Sequence, residues 1–385
     1  MKLTWRLLAP LLLPLLGGCP DSSTSIDDGG ALRSEFDWQV RAGIPLPVEP
    51  TDNPMSEATF QLGRHLFYDA RLSANETISC SSCHQQDKAF ADGRVAARGA
   101  TGELHPRNSQ ALVNIAYNPT LTWGNPALRT LEQQIVIPLF GETPIEHGIS
   151  DANQELVLNR ILAEPAYSPL FSAAFPDQPV SYDSIVKALA SFVRGMTSFG
   201  SDFDRYEQGD SDALSESAKR GMTLFFSESL ECFHCHGGYN FTDSVQDRTM
   251  FLVDRPFHNT GLYNIDGLGG YPEPNTGVHE ITGRAEDMGR FRAPSLRNVA
   301  VTAPYMHDGS VATLEEAIRN YAAGGRNLSA GPNAGDGRMN PYKDGFVSGF
   351  SITDDEISDL IAFLESLSDD QFLSSERFSN PWNTP

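Results

Sequence analysis

Two short stretches limit what this chain can fold into: Cys80-Ser81-Ser82-Cys83-His84 and Cys232-Phe233-His234-Cys235-His236. C-x-x-C-H is the attachment pattern for c-type haem. Two thiols on one turn of chain add to the two vinyl groups, and the following histidine swings under the ring to give the iron its proximal nitrogen. A redox C-x-x-C, or half a zinc site beside a chance histidine, is the alternative. Its recurrence in a chain that starts like an exported protein favours haem. The expectation is two covalent c-type haems, one on Cys80, Cys83 and His84, the other on Cys232, Cys235 and His236.

The chain has 385 residues, enough for two domains with separate cores. Its 33 glycines and 25 prolines predict much loop, which suits a fold wrapped around cofactors. A net charge of −22 excludes nucleic acid as a partner, since binding it needs a cationic face, and favours neutral or basic partners. Lys2 and Arg6 precede an apolar run, Leu7 to Leu16, that is too short to span a bilayer; Gly17-Gly18-Cys19 follows. This reads as a signal peptide over residues 1–18 ending in a bacterial lipobox, with Cys19 lipidated. Ordinary cleavage is the alternative. Cys19 is the fifth of five cysteines and the other four sit in the haem motifs, so none remains for a disulfide. The expected location is the periplasm, with an N-terminal lipid as the only membrane contact.

Residues 19–34 read as a flexible tether. Apolar spacing predicts a helix from about Met55 to Tyr68, with Phe60, Gly63, Leu66 and Phe67 on one side. The first haem motif and Phe90-Ala91-Asp92 follow. Arg220-Gly221-Met222-Thr223-Leu224-Phe225, the second motif and Phe241-Thr242-Asp243 repeat that order, as a doubled cytochrome c-like unit does. Between them, Ser181 to Phe199 carries the stripe Ile185, Leu189, Phe192, Val193 and Met196. Thr313 with Glu316, and Thr353 with Glu356, form capping boxes for helices over 314–321 and 357–367. The predicted fold is mainly α, with long loops and little β. It comprises two cytochrome c-like domains, residues 35–205 and 206–375, and a tail over 376–385.

From Asn108 onward the sequence resembles the bacterial di-haem cytochrome c peroxidase and MauG superfamily. The matching segments are Arg107-Asn108-Ser109 to Asn114, Trp123, Pro138 to Glu146, Phe257-His258-Asn259-Thr260-Gly261, and Phe291 to Val299 through Asp308-Gly309. The resemblance implies an open first haem on His84, with Pro138 over the iron and Glu146 moving the protons of bound peroxide. Glu142 is a rival for that role. His105 lies off the register of the distal histidine that cytochrome-using peroxidases carry, and reads as structural. For the second haem the resemblance implies Tyr321 opposite His236, the MauG/MbnH-type choice, where cytochrome-using peroxidases have methionine. Met288, Met306 and Met339 are possible substitutes. A phenolate favours ferric and higher states, a thioether ferrous iron. The resemblance also implies Trp123 between the haems and one Ca²⁺ held by Asn108, Thr302 and Pro304, whose hard oxygens suit it. His307 either bonds a haem propionate or is structural.

The function implied is a periplasmic peroxidase-type oxidoreductase. Hydrogen peroxide would give a high-valent two-haem state that oxidises a secreted or periplasmic protein, at a tryptophan side chain, by long-range electron transfer. The alternative is a cytochrome c peroxidase supplied with electrons by a small cytochrome or cupredoxin. A non-enzymatic electron carrier is the third possibility, for which a second ligand on the first haem is not visible.

Overall fold

Serine and threonine caps start the long helices. Ser56, Thr130, Ser181, Ser215, Thr313 and Thr353 each accept a backbone N–H from the first turn they precede, satisfying a donor the helix itself leaves unpaired. The computed structural model describes residues 36–383 and, ahead of them, the backbone of the antiparallel pair β1 (Thr24–Ile26) and β2 (Leu32–Ser34). The expected signal peptide and Cys19 lie outside the described residues. The helices are α1 (Glu57–Phe67), α2 (Leu131–Phe140), α3 (Gln154–Ala163), α4 (Tyr167–Ala174), α5 (Tyr182–Arg194) and α6 (Asp202–Glu207). They continue as α7 (Glu216–Phe225), α8 (Cys232–His236), α9 (His279–Thr282), α10 (Leu314–Ala322), α11 (Asp354–Glu365) and α12 (Asp370–Ser374). A second short ladder pairs β3 (Asn327–Leu328) with β4 (Gly335–Asp336). The molecule is mainly α with little β, as expected. The Thr353–Glu356 capping box is complete, whereas Glu316 accepts from Ala312 N instead of its own cap.

The two repeats share one helix crossing. A Cβ on Gly63 of α1 would lie 1.9 Å from the Ala188 carbonyl oxygen and 2.8 Å from the Phe192 Cβ of α5. A Cβ on Gly221 of α7 would lie 1.9 Å from the Asp359 oxygen and 2.9 Å from the Phe363 Cβ of α11. Only glycine lets backbones approach so closely. Three buried rings pack beside each crossing: Phe67, Phe90 and Phe192 in the first, Phe225, Phe241 and Phe363 in the second. Burying each such ring contributes about 1.5–3 kcal/mol. The stripe expected on α5 is buried throughout, Met196 included.

Residues 37–385 form one compact unit. Within it Asp204 is fully buried and receives three guanidinium bonds, two from Arg297 at 2.7 and 3.0 Å and one from Arg41 at 3.2 Å. The last residues return to the first repeat. Arg64 and Tyr68 donate to the Ser379 and Phe378 carbonyls, both at 2.7 Å, and Trp382 Nε1 donates to His65 O at 3.0 Å. Phe372 packs on Phe90 and Phe378 on Phe60.

Candidate haem sites

The left-handed backbone at Phe90, φ 62°, and Phe241, φ 51°, carries each ring inward and turns its carbonyl toward the motif histidine. His84 Nδ1 donates to Phe90 O at 2.6 Å, and His236 Nδ1 to Phe241 O at 3.2 Å. That fixes the tautomer and leaves each Nε2 as a free ligand, the usual orientation of an iron-bound histidine. Cys80, Cys83 and His84 line one cavity; Cys232, Cys235 and His236 line another. Burial pushes the thiols of Cys80 and Cys232 up to about 12 and that of Cys83 to about 11. Such sulfurs are poor thiolates for zinc or redox chemistry, but comfortable as neutral thioethers.

Pro138 of α2 and, beyond its C-terminus, Glu146 line the first cavity with the motif. The Glu146 side chain is 34% exposed, and desolvation by its surroundings pushes the carboxyl up to about 7, while Glu142 stands exposed at the surface. The loop is held in place by His147, which is buried; its backbone N–H donates to Pro138 O at 2.9 Å. His105, expected to be structural, lines this cavity too, with Nδ1 3.8 Å from Glu146 Oε1. Gln134, one turn before Pro138, points an unpartnered Oε1 into buried space at the same cavity. Periodicity gave no signal for either, because their loop and helix meet the motif only in three dimensions.

Tyr321 of α10 lines the second cavity with His236, and burial raises its phenol well above the ordinary range. Of the alternative ligands, Met306 also lines this cavity, whereas Met339 is 72% exposed. His307 is buried, stacked at 3.7 Å on Phe291, and its Nε2 has no hydrogen-bond partner. Arg292 is buried beside it in the cavity wall, bonded to Gln110 and to carbonyls; burial lowers it to about 10. An orphaned imidazole nitrogen and a buried guanidinium suit the propionates that a haem would bring. The residues present therefore fit haem at both sites.

Trp123 and Asn108 line both cavities, and Trp123 Nε1 donates to Asn108 O at 3.0 Å. Thr302 and Pro304 line the second cavity with Asn108. Asn108 Nδ2 is committed to Arg94 O at 2.7 Å, which leaves its Oδ1 as an acceptor. Among the described residues neither the Thr302 nor the Pro304 carbonyl accepts a hydrogen bond.

A family model described as di-haem cytochrome c peroxidase matches residues 57–212. The chain is 33% identical over 325 residues to the methylamine utilization protein MauG of Methylophilus methylotrophus, spanning 84% of this chain and 85% of that one. It is 29% identical over 366 residues to the cytochrome c551 peroxidase of Pseudomonas aeruginosa, spanning 94% and 93%. Among solved structures, a MauG-like protein associated with microbial copper homeostasis superposes with a TM-score of 0.89 at 51% identity, covering 90% of this chain and all of that one. The diheme peroxidase BthA of Burkholderia thailandensis shares the fold, with a TM-score of 0.63 at 20% identity.

Proposed function

The chain belongs to the di-haem cytochrome c peroxidase and MauG family, and from that premise we propose that this two-haem oxidoreductase uses hydrogen peroxide to oxidise a partner protein at a distance. The observation that carries this reading is Trp123 lining both cavities, with a tyrosine rather than a methionine on α10 in the second. Bound haem supplies the peroxide site and a store for two oxidising equivalents. The chain supplies the rest. Glu146, near pKa 7, takes a proton from the near oxygen of peroxide and returns one to the departing oxygen. Pro138 would offer the first haem no ligand atom, which supports an open site there. Tyr321, which lines the second cavity with His236, would hold the haem there as a phenolate and would favour its oxidised forms. Trp123 gives a flat, oxidisable ring between the two. Overall two electrons and two protons reduce each peroxide to water, and the electrons come from the partner, at a tryptophan side chain.

A Ca²⁺ on Asn108 Oδ1 and the Thr302 and Pro304 carbonyls belongs to the same proposal, supported by the open acceptors of that triad. So do a periplasmic location and a lipid on Cys19. No described helix is long and apolar enough to cross a membrane.

The test adds peroxide to the di-ferric protein and follows its spectrum with and without Tyr321→Met. A long-lived two-electron-oxidised form, lost in the variant, is expected. Rapid turnover with a reduced small cytochrome, dependent on prior one-electron reduction, would refute it in favour of a cytochrome c peroxidase.

A further inference from the structure

One cluster of ligand-type side chains has no role assigned in the chemistry above, although its Glu231 also lines the second cavity. Glu228, Glu231 and His234 recur at three-residue spacing where α7 gives way to the second haem motif, and each has a donor atom within 4.8 Å of the other two. His234 Nδ1 and Glu231 Oε2 are only 2.7 Å apart. Beyond this ion pair neither atom has a hydrogen-bond partner, and both atoms are shut off from solvent although their side chains are 28% and 29% exposed. Buried polar atoms are rarely left in that state without an ion or water to satisfy them. The imidazole plane is fixed independently: His234 stacks on Phe346 at 4.2 Å and 15°, and its ring also lies 4.2 Å from Phe233 at 35°.

We propose that Glu228, Glu231 and His234 bind a divalent cation of the zinc class, with water completing the shell. One imidazole nitrogen among carboxylates selects zinc-like ions over Ca²⁺ and Mg²⁺, which take oxygen. Ligand atoms about 2.0–2.2 Å from zinc stand roughly 3.3 Å apart, so the side chains need only small shifts to close on the ion. His234 lies between Cys232 and Cys235, the attachment points of the second haem. A cation there adds positive charge beside that haem and makes it harder to oxidise, so metal supply regulates the oxidising store.

The experiment uses the two-haem protein, stripped with EDTA, returned to excess Ca²⁺ and titrated with ZnCl₂ by calorimetry. One zinc per chain is expected, with affinity falling at least about tenfold in Glu228→Gln and in His234→Gln. Haem content, read from the Soret band, reports whether either variant disturbs attachment; Glu228 is exposed and gives the cleaner arm. Zinc absorption-edge spectra should contain one imidazole. No binding, undiminished affinity in Glu228→Gln, or two or more imidazoles on the zinc would overturn the site. A second-haem potential that does not rise on zinc binding in the wild type would overturn the coupling.

Discussion

Glu146→Gln isolates the proton chemistry of the first site. Desolvation by its surroundings puts the Glu146 carboxyl near 7 instead of the ordinary value of 4.5. If the carboxylate must take a proton from peroxide, the second-order rate follows the ionised fraction: about half at pH 7 and about one part in a hundred at pH 5. Stopped-flow measurement of the Soret change should therefore show a rate falling about fiftyfold over those two units in the wild type. Glutamine removes the base, so the variant should be slower by about 10²–10⁴ at pH 7 and flat in pH. Glu142→Gln, at the exposed position, should keep the wild-type profile. Stability gives a second reading. A carboxyl whose folded pKa lies above its unfolded one costs nothing below the unfolded value, and its full cost is reached above the folded one. Glu146→Gln should thus raise the unfolding temperature at pH 8 and leave it unchanged at pH 4. A wild-type rate that does not change between pH 5 and 7, or a variant as fast as wild type, refutes the assignment.

Two further outcomes concern the frame. Gly221→Ala would place a methyl 1.9 Å from the Asp359 oxygen; overpacking of about 1–3 kcal/mol or more should outweigh the ~1 kcal/mol of helix propensity gained, so thermal unfolding followed by circular dichroism should start several degrees lower. Asp204→Asn leaves the buried Arg297 without its counter-charge, and denaturant unfolding should register a loss of about 3–5 kcal/mol.

The repeat was legible because it is written locally. Glycine on the helix, the haem motif, then an aromatic and an aspartate recur in order, and the structure shows why: Gly63 and Gly221 allow the crossings, while Phe90 and Phe241 orient the histidines. Glu146 and Tyr321 came from family register and not from pattern, since an isolated loop glutamate or helical tyrosine has no distinguishing period. His105, read as structural, also lines the first cavity; register could not indicate this, because it says where a homologous residue would stand, not which side chain a different loop path delivers. It lies 3.8 Å from Glu146. Helices α2, α3 and α4 went unanticipated. A proline such as Pro138 signals a helix break, yet α2 runs seven residues from its Thr130 cap before reaching it and two residues beyond.

The return of the final residues to the first repeat bears on how that repeat is completed. Phe372, Phe378 and Trp382 form part of the wall behind α1 and Phe90, so the first repeat is completed by residues that follow the second in the chain. A gene fragment ending near residue 205 would encode the first motif without its back wall. The two halves are therefore a repeat in design whose first member is completed by residues that follow the second.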